Sequence, residues 1–418
     1  MFFRCKGFIV VLLSTFLYFP LLCKKTVGNE VLLGIDVLIQ NDFKLLWGKK
    51  VGLLTNSASR SREQKLTVEY FVNNPNFTLK AIFTPEHGFY TTIPAGKFVP
   101  DDTIYGVPLF SLYGNNRKPT PYQMSLIDVI VVDLQDVGVR SYTFISTLYN
   151  VMLASAESGV QVIVLDRPNP LGGNIVDGNV LEPEKVSFVG IIPVPYLHGC
   201  TIGELATMIN EEGWLGKNGI PKRCKLTVVK MENWRREMKW EDTGLEWIPT
   251  SPNVTTPDAI RGLAMLGALG ELKIFNLGVG TSLPFQFFSI PRVNFSRVRS
   301  LISKLNFDGV VFKAVYNKKS IHRSKQLGTG FQIFFDRSKD IKLFTLGMNL
   351  LFKVRKEFPE LFKNDNMKSQ SIEMFKKVTG TDKLFDCLIE SNETKFKSLL
   401  SNGLNDFIKL RSKYLFYR

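Results

Sequence analysis

Val129-Ile130-Val131-Val132-Asp133-Leu134-Gln135-Asp136-Val137-Gly138 opens on four β-branched residues and breaks at once into a polar loop closed by glycine. So short a run of stiff, branched side chains reads as a strand buried on both faces. The same form recurs three times. Residues 51–54 run into Thr55-Asn56-Ser57, 81–83 into Thr84-Pro85-Glu86-His87-Gly88, and 160–165 into Asp166-Arg167-Pro168-Asn169-Pro170. Between them, 62–72 carries apolar Leu66, Val68, Tyr70 and Phe71. Residues 142–157 carry Phe144, Ile145, Leu148, Met152 and Ala156 at helical spacing, with Gly159 as a stop. Strand, helix and strand in alternation predict an α/β fold on a parallel sheet. Ligands of such sheets bind outside the carboxyl ends of the strands, so these loops carry the candidate chemistry.

Farther along, a short strand over 193–198 leads into a helix that Thr201 caps, with Glu204 as its capping-box partner and Gly213 at its end. Residues 234–253, rich in Trp, charge and Pro, read as a connection. Beyond it come a glycine-rich stretch (262–280), a run ending in Phe285-Gln286-Phe287-Phe288, a β-like segment (330–335) and helical stretches over 345–358 and 371–377. This α+β pattern places a domain boundary near residue 250 and predicts an α/β unit over 29–250 and a smaller α+β unit over 251–418.

With 418 residues, 44% hydrophobic and 22% charged, the chain has the composition of a folded protein of two or more domains rather than a disordered one. Arg4 and Lys6 precede an uncharged run over 7–23, followed by Lys24 and Lys25. This reads as a secretory signal over 1–28, with an uncleaved anchor as the alternative and the only expected membrane contact. Export to the periplasm or cell envelope of a bacterium is therefore expected. Outside that segment stand Cys200, Cys224 and Cys387, three scattered thiols that make neither a disulfide framework nor a zinc site. The net charge is +15, and residues 251–418 hold 28 Lys and Arg against 14 Asp and Glu. Such a surface is solubilising or attracts a polyanion. Export, and the lack of any helix-turn-helix, finger or RNA-binding signature, argue against nucleic acid and for an anionic cell-wall polymer.

Glu86 is the strongest single candidate for chemistry. It lies at a strand end between Phe83 and Phe89, where an apolar surround would keep its carboxyl protonated for general acid work; the alternative is a carboxylate that accepts loop amides. Asp133, Gln135, Asp136 and Arg140 form a second cluster able to orient a polar ligand, with one aspartate as base opposite Glu86, or with Asp136 and Arg140 as a structural pair. The proline-stiffened loop after 165 presents Asp166, Arg167 and Asn169 to a ligand or forms a structural turn, and His198 stands ahead of a capped helix. Gly278-Val279-Gly280 lacks the third glycine of a dinucleotide fingerprint, and there is no phosphate loop and no nucleophilic serine elbow. His87, His198 and His322 lack metal-ligand spacing, so no metal is expected.

Taken together, these motifs resemble the NamZ/YbbC-type exo-β-N-acetylmuramidase family. The resemblance runs in order through Val51-Gly52-Leu53-Leu54-Thr55-Asn56, Pro85-Glu86-His87-Gly88-Phe89, the stretch 133–143, the stretch 166–173, His198-Gly199-Cys200-Thr201-Ile202-Gly203-Glu204-Leu205, Pro249-Thr250-Ser251-Pro252-Asn253 and the closing 411–417. It implies a Rossmann-like catalytic domain, a smaller C-terminal auxiliary domain, a cleft between them, no cofactor, and peptidoglycan or muropeptide glycan as partner. Glu86 falls on the family's proposed catalytic glutamate; the other cleft positions correspond to His87, Asp133, Gln135, Asp136, Arg140, Asp166, Arg167, Asn169, His198 and Asn253. The chain departs from the family pattern at Tyr90, Val279 and Ser282, where the family's charges are lost, and at Lys97, where the family carries an acidic residue. Those departures support an alternative function, a cell-wall glycan-binding protein of the same fold with impaired catalysis.

Overall fold

The computed structural model of the chain describes residues 30–216, 219–318, 327–363 and 366–418. The targeting segment expected over 1–28, and His322, lie outside them. Up to residue 229 the chain forms strands β1 (Lys50–Leu54), β2 (Thr78–Thr84), β3 (Asp102–Ile104), β4 (Val107–Ser111), β5 (Val129–Val132), β6 (Gln161–Leu165), β7 (Asp177–Val180), β8 (Pro195–Leu197) and β9 (Leu226–Val229). Seven of these make one sheet in the order β3-β4-β2-β1-β5-β6-β9, and only the edge pair β3 and β4 is antiparallel. Numbered along the chain, the six parallel strands lie in the order 3-2-1-4-5-6, the doubly wound Rossmann arrangement. The order reverses between β1 and β5, which pair from Val51 with Val129 to Leu54 with Val132.

Alternation along these strands sorts their side chains onto two faces. Val51, Leu53, Val129, Val131, Ile163 and Leu165 join one apolar cluster; Leu54, Ile130, Val132, Val162 and Val164 join the other. Helices α1 (Gly34–Gln40), α2 (Thr67–Phe71), α3 (Pro121–Ser125), α4 (Phe144–Ser158) and α5 (Ile202–Glu211) accompany the sheet. Gly159 ends α4 in the left-handed region at φ 77°, and Thr201 caps α5 in a capping box with Glu204. The helix expected over 62–72 is only α2. Its first half forms a tight turn instead, with Arg60 bridged to Leu66 and Gln64 at φ 66°, because the Asp36 carboxylate takes the Arg62 amide.

The remainder supplies helices α6 (Pro257–Glu271), α7 (Phe295–Ser303), α8 (Leu343–Glu357), α9 (Ser369–Thr379), α10 (Lys383–Ile389), α11 (Glu393–Leu399) and α12 (Leu404–Arg411). Strands β10 (Phe287–Phe288), β11 (Val310–Lys318) and β12 (Gly328–Phe335) form an antiparallel sheet in the order β10-β12-β11. Much of the glycine-rich stretch is helical, and its glycines serve close packing. A Cβ on Gly262 would stand 2.0 Å from the Phe285 carbonyl, and one on Gly347 of α8 would stand 1.8 Å from the Met265 carbonyl of α6. The apolar cluster under α4 and α5 continues without a break into α6 and α8, so the two parts of the chain share a core.

The C-terminal residues return to the parallel sheet. Arg411 donates to the carbonyls of Gly173, His198 and Gly199, the Phe416 amide donates to Glu204, and the Tyr417 hydroxyl donates to Asp166 at 2.6 Å. The loop after β6 is thereby closed from behind by residues more than 200 positions away.

Candidate active site

A cavity of about 660 Å³ opens beyond the carboxyl ends of the parallel strands, between the loops after β2 and β5 and the helices α6 and α9. Its volume is that of a site for a small organic ligand. Glu86, His87, Gly96, Tyr113, Ser141, Tyr142 and Thr143 line one side; Glu271, Lys273, Asn276, Val279 and Phe285 line the other.

Glu86 is held by donors. The carboxyl accepts from the Thr143 hydroxyl at 2.6 Å and from the Gly96 amide at 2.8 Å. Phe83 and Phe89, its expected apolar surround, belong to the two separate apolar clusters. Burial, with the Glu86 charge and hydrogen bond adding to it, pushes the neighbouring Tyr113 phenol up to about 12. The loop makes this geometry by folding back on itself: His87 at φ 76° and Gly88 at φ 73° turn the chain, and His87 Nδ1 donates to the Ile93 carbonyl at 2.8 Å. Burial lowers the His87 pKa, so the ring, on the lining of the cleft, is neutral at neutral pH. Left-handed backbone recurs at Lys273 (φ 59°) and Phe285 (φ 58°), so three non-glycine lining residues are strained, a pattern found at binding sites. Thr91 donates to the Pro249 carbonyl, and Asn253 Oδ1 accepts the Gly280 amide at 2.9 Å, which fastens the segment 249–253 across the cleft.

Of the residues expected at the site, Glu86, His87 and Asn253 line this cavity and the others do not; Gln135 and Arg167 line a smaller one beside Arg60 and Trp240. Asp133, expected as a catalytic base, is fully buried; both its oxygens take Arg167, at 2.5 and 2.8 Å, and Thr67 adds a hydroxyl at 2.5 Å. Arg167 is thus consumed by the same pair. Asp136 accepts the Gly138 amide at 2.8 Å and lies 3.7 Å from His198 Nε2, both side chains buried behind the cleft wall. His198 Nδ1 accepts the Cys200 amide. Gln135 donates to the Asp136 and Pro168 carbonyls, and Asn169 donates to Cys200 and accepts from Leu171. Gly138, at φ 79°, leaves no room for a Cβ beside Asn169.

Arg140 does not pair with Asp136. It donates to the carbonyls of Asn179, Val194, Val378 and Thr379 from a site where burial lowers its pKa to about 10, pinning β7 to the end of α9. Asp166 faces away from the cleft and accepts from Tyr417, Thr201 and Gly203. Burial raises its pKa to about 7. Tyr113, Thr143, Glu271 and Lys273 were not expected from sequence. Only Thr143 carried a signal, as the last residue of the stretch 133–143. Among the described residues no group of three or more His, Cys, Asp or Glu is placed to hold a metal ion.

Two family models match the chain: exo-beta-N-acetylmuramidase NamZ, N-terminal, over residues 51–258, and exo-beta-N-acetylmuramidase NamZ, C-terminal, over 264–417. The chain is 35% identical over 396 residues to the peptidoglycan beta-N-acetylmuramidase NamZ of Bacillus subtilis (strain 168), spanning 93% of this chain and 92% of that protein. Two crystal structures of DUF1343 family proteins from Bacteroides fragilis NCTC 9343 are similar in fold. One superposes with a TM-score of 0.84 at 35% identity and the other with 0.70 at 27%, each covering 93% of this chain and 99% of its own.

Proposed function

The chain belongs to the exo-beta-N-acetylmuramidase NamZ family, and on that premise we propose that it is a glycosidase that removes terminal N-acetylmuramic acid from peptidoglycan fragments. The observation that carries this reading is Glu86, buried at the end of β2 yet lining a cavity large enough for a sugar, with two donors fixing its carboxyl. A carboxyl so placed protonates the glycosidic oxygen as the C1–O bond breaks, and the bond's electron pair leaves with that oxygen. Water supplies the second hydroxyl. The reaction needs neither cofactor nor metal. The proposal includes export to the cell envelope, where the substrate lies, and electrostatic attraction of anionic glycan by the basic part of the chain, which predicts weaker activity at high salt.

The test is release of free N-acetylmuramic acid from a terminally muramyl disaccharide by the chain without residues 1–28, beside Glu86→Gln. Release that vanishes in the variant supports the reading. A second reading, a glycan-binding protein without catalysis, draws on Val279, an apolar residue lining the cavity where the family carries a charge. It predicts that both chains bind muropeptide and neither releases sugar.

A further inference from the structure

Hydrolysis of a glycoside calls for a second carboxyl group opposite the acid. The aspartates after β5 are engaged elsewhere: Asp133 is bound to Arg167, and Asp136 is buried outside the cavity. Among the residues lining the cavity there is one carboxyl besides Glu86, that of Glu271. Resting on the glycosidase reading above, we propose that Glu271 completes hydrolysis, taking a proton from water as the water oxygen bonds to C1.

Three observations carry this. Glu271 is the last residue of α6, where the helix dipole disfavours an anion and no basic residue of the last turn offsets it, so helix stability does not account for a glutamate there. Its side chain is about 29% exposed and its ion pair is to Lys273, at 3.3 Å, a residue held at φ 59° beside the cavity. It also lines the same cavity as Glu86. Thr143 holds Glu86, and Ser141, two residues before it, meets the Tyr196 hydroxyl. Tyr196 packs on Gly267 of α6, and its phenol, pushed up to about 12 chiefly by burial, also feels the Glu271 charge. Both carboxyls thus line the one cavity and are connected through the Ser141–Thr143 segment and Tyr196. In the step proposed, Glu86 gives its proton to the leaving oxygen and Glu271 gains one from water; exchange with solvent restores both.

Glu271→Ala and Glu271→Gln are compared with the unaltered chain on the muramyl disaccharide, with and without sodium azide, and folding is checked by thermal melting. The expected result is a kcat loss of about 10²–10⁴ in both variants with KM changed less than about threefold, and azide restoring turnover of the alanine variant as a glycosyl azide. A kcat within about tenfold of the unaltered chain, or a loss that azide does not restore, overturns the assignment while leaving the glycosidase reading in place. An unaltered chain that releases no sugar overturns the glycosidase reading itself, and the role of Glu271 with it.

Discussion

Asp133→Asn separates framework from chemistry at the loop after β5. The substitution keeps the side chain's shape and removes its charge, leaving the Arg167 guanidinium, 3% exposed and otherwise bonded only to the Arg60 carbonyl, buried against a neutral amide. Breaking one side of a buried pair costs about 3–5 kcal/mol because the surviving charge is left without compensation. A melting entropy of about 2.1 cal/mol/K per residue gives about 0.9 kcal/mol/K over the 418 residues, provided the two parts melt together, as their common core requires. The expected loss in Tm is therefore about 3–6 °C by calorimetry. At a temperature where the variant is folded, its kcat for muramic acid release should match the unaltered chain within about threefold, since Asp133 does not reach the cavity. A kcat lowered more than a hundredfold with an unchanged Tm would refute the reasoning and return Asp133 to the reaction.

Thr143→Val removes the hydroxyl that holds Glu86 at 2.6 Å; a side-chain hydrogen bond is worth about 0.5–1.5 kcal/mol, so kcat/KM should fall about 2- to 13-fold, and steady-state kinetics showing no change would sink the idea. Arg140→Met strips the donor from four buried carbonyls and should cost at least about 3 kcal/mol, read as a lower urea midpoint; an unchanged midpoint contradicts the linking role of Arg140. Asp166 titrates near 3.8 unfolded and about 7 folded. The folded chain therefore holds the extra proton between those values, and its stabilisation, full below about 4, is lost as pH rises through about 7, by up to about 4 kcal/mol. The Tm advantage over Asp166→Asn should shrink across that interval, and a constant difference would show that burial does not hold the proton.

The strands that build the site were legible because each carries an uninterrupted apolar run that the sheet buries on both faces. Periodicity also found α4 and α5, whose stop and cap are local. The roles of the loop residues were not legible in the same way. Asp133 and Asp136 share one loop, yet the pairing of β5 with β6 from Val129 and Gln161 to Val132 and Val164 brings the following residues Asp133 and Arg167 together, and that register is absent from either segment alone. Arg140 sits four residues after Asp136, the spacing of a helical pair, but Gly138 at φ 79° carries the chain away into β8's neighbourhood, where the Arg140 amide bonds the Tyr196 carbonyl. Glu271 gave no signal at all. Its position matters only because α6 packs backbone to backbone on α8 and so delivers its last turn to the cleft mouth.

The hydrogen bond from Tyr417 to Asp166 joins residues 251 positions apart. Closing so long a loop costs about 5 kcal/mol of chain entropy in logarithmic length alone, and that cost falls before the contact returns anything. Assembly of the loop after β6 must therefore be among the last events of folding, waiting on residues 411–417 to dock. Until then the parallel sheet stands with the back of that loop unsealed, and the chain stays open to proteases and chaperones. Docking of that segment, rather than formation of the sheet, would set the moment at which the cleft takes its final shape.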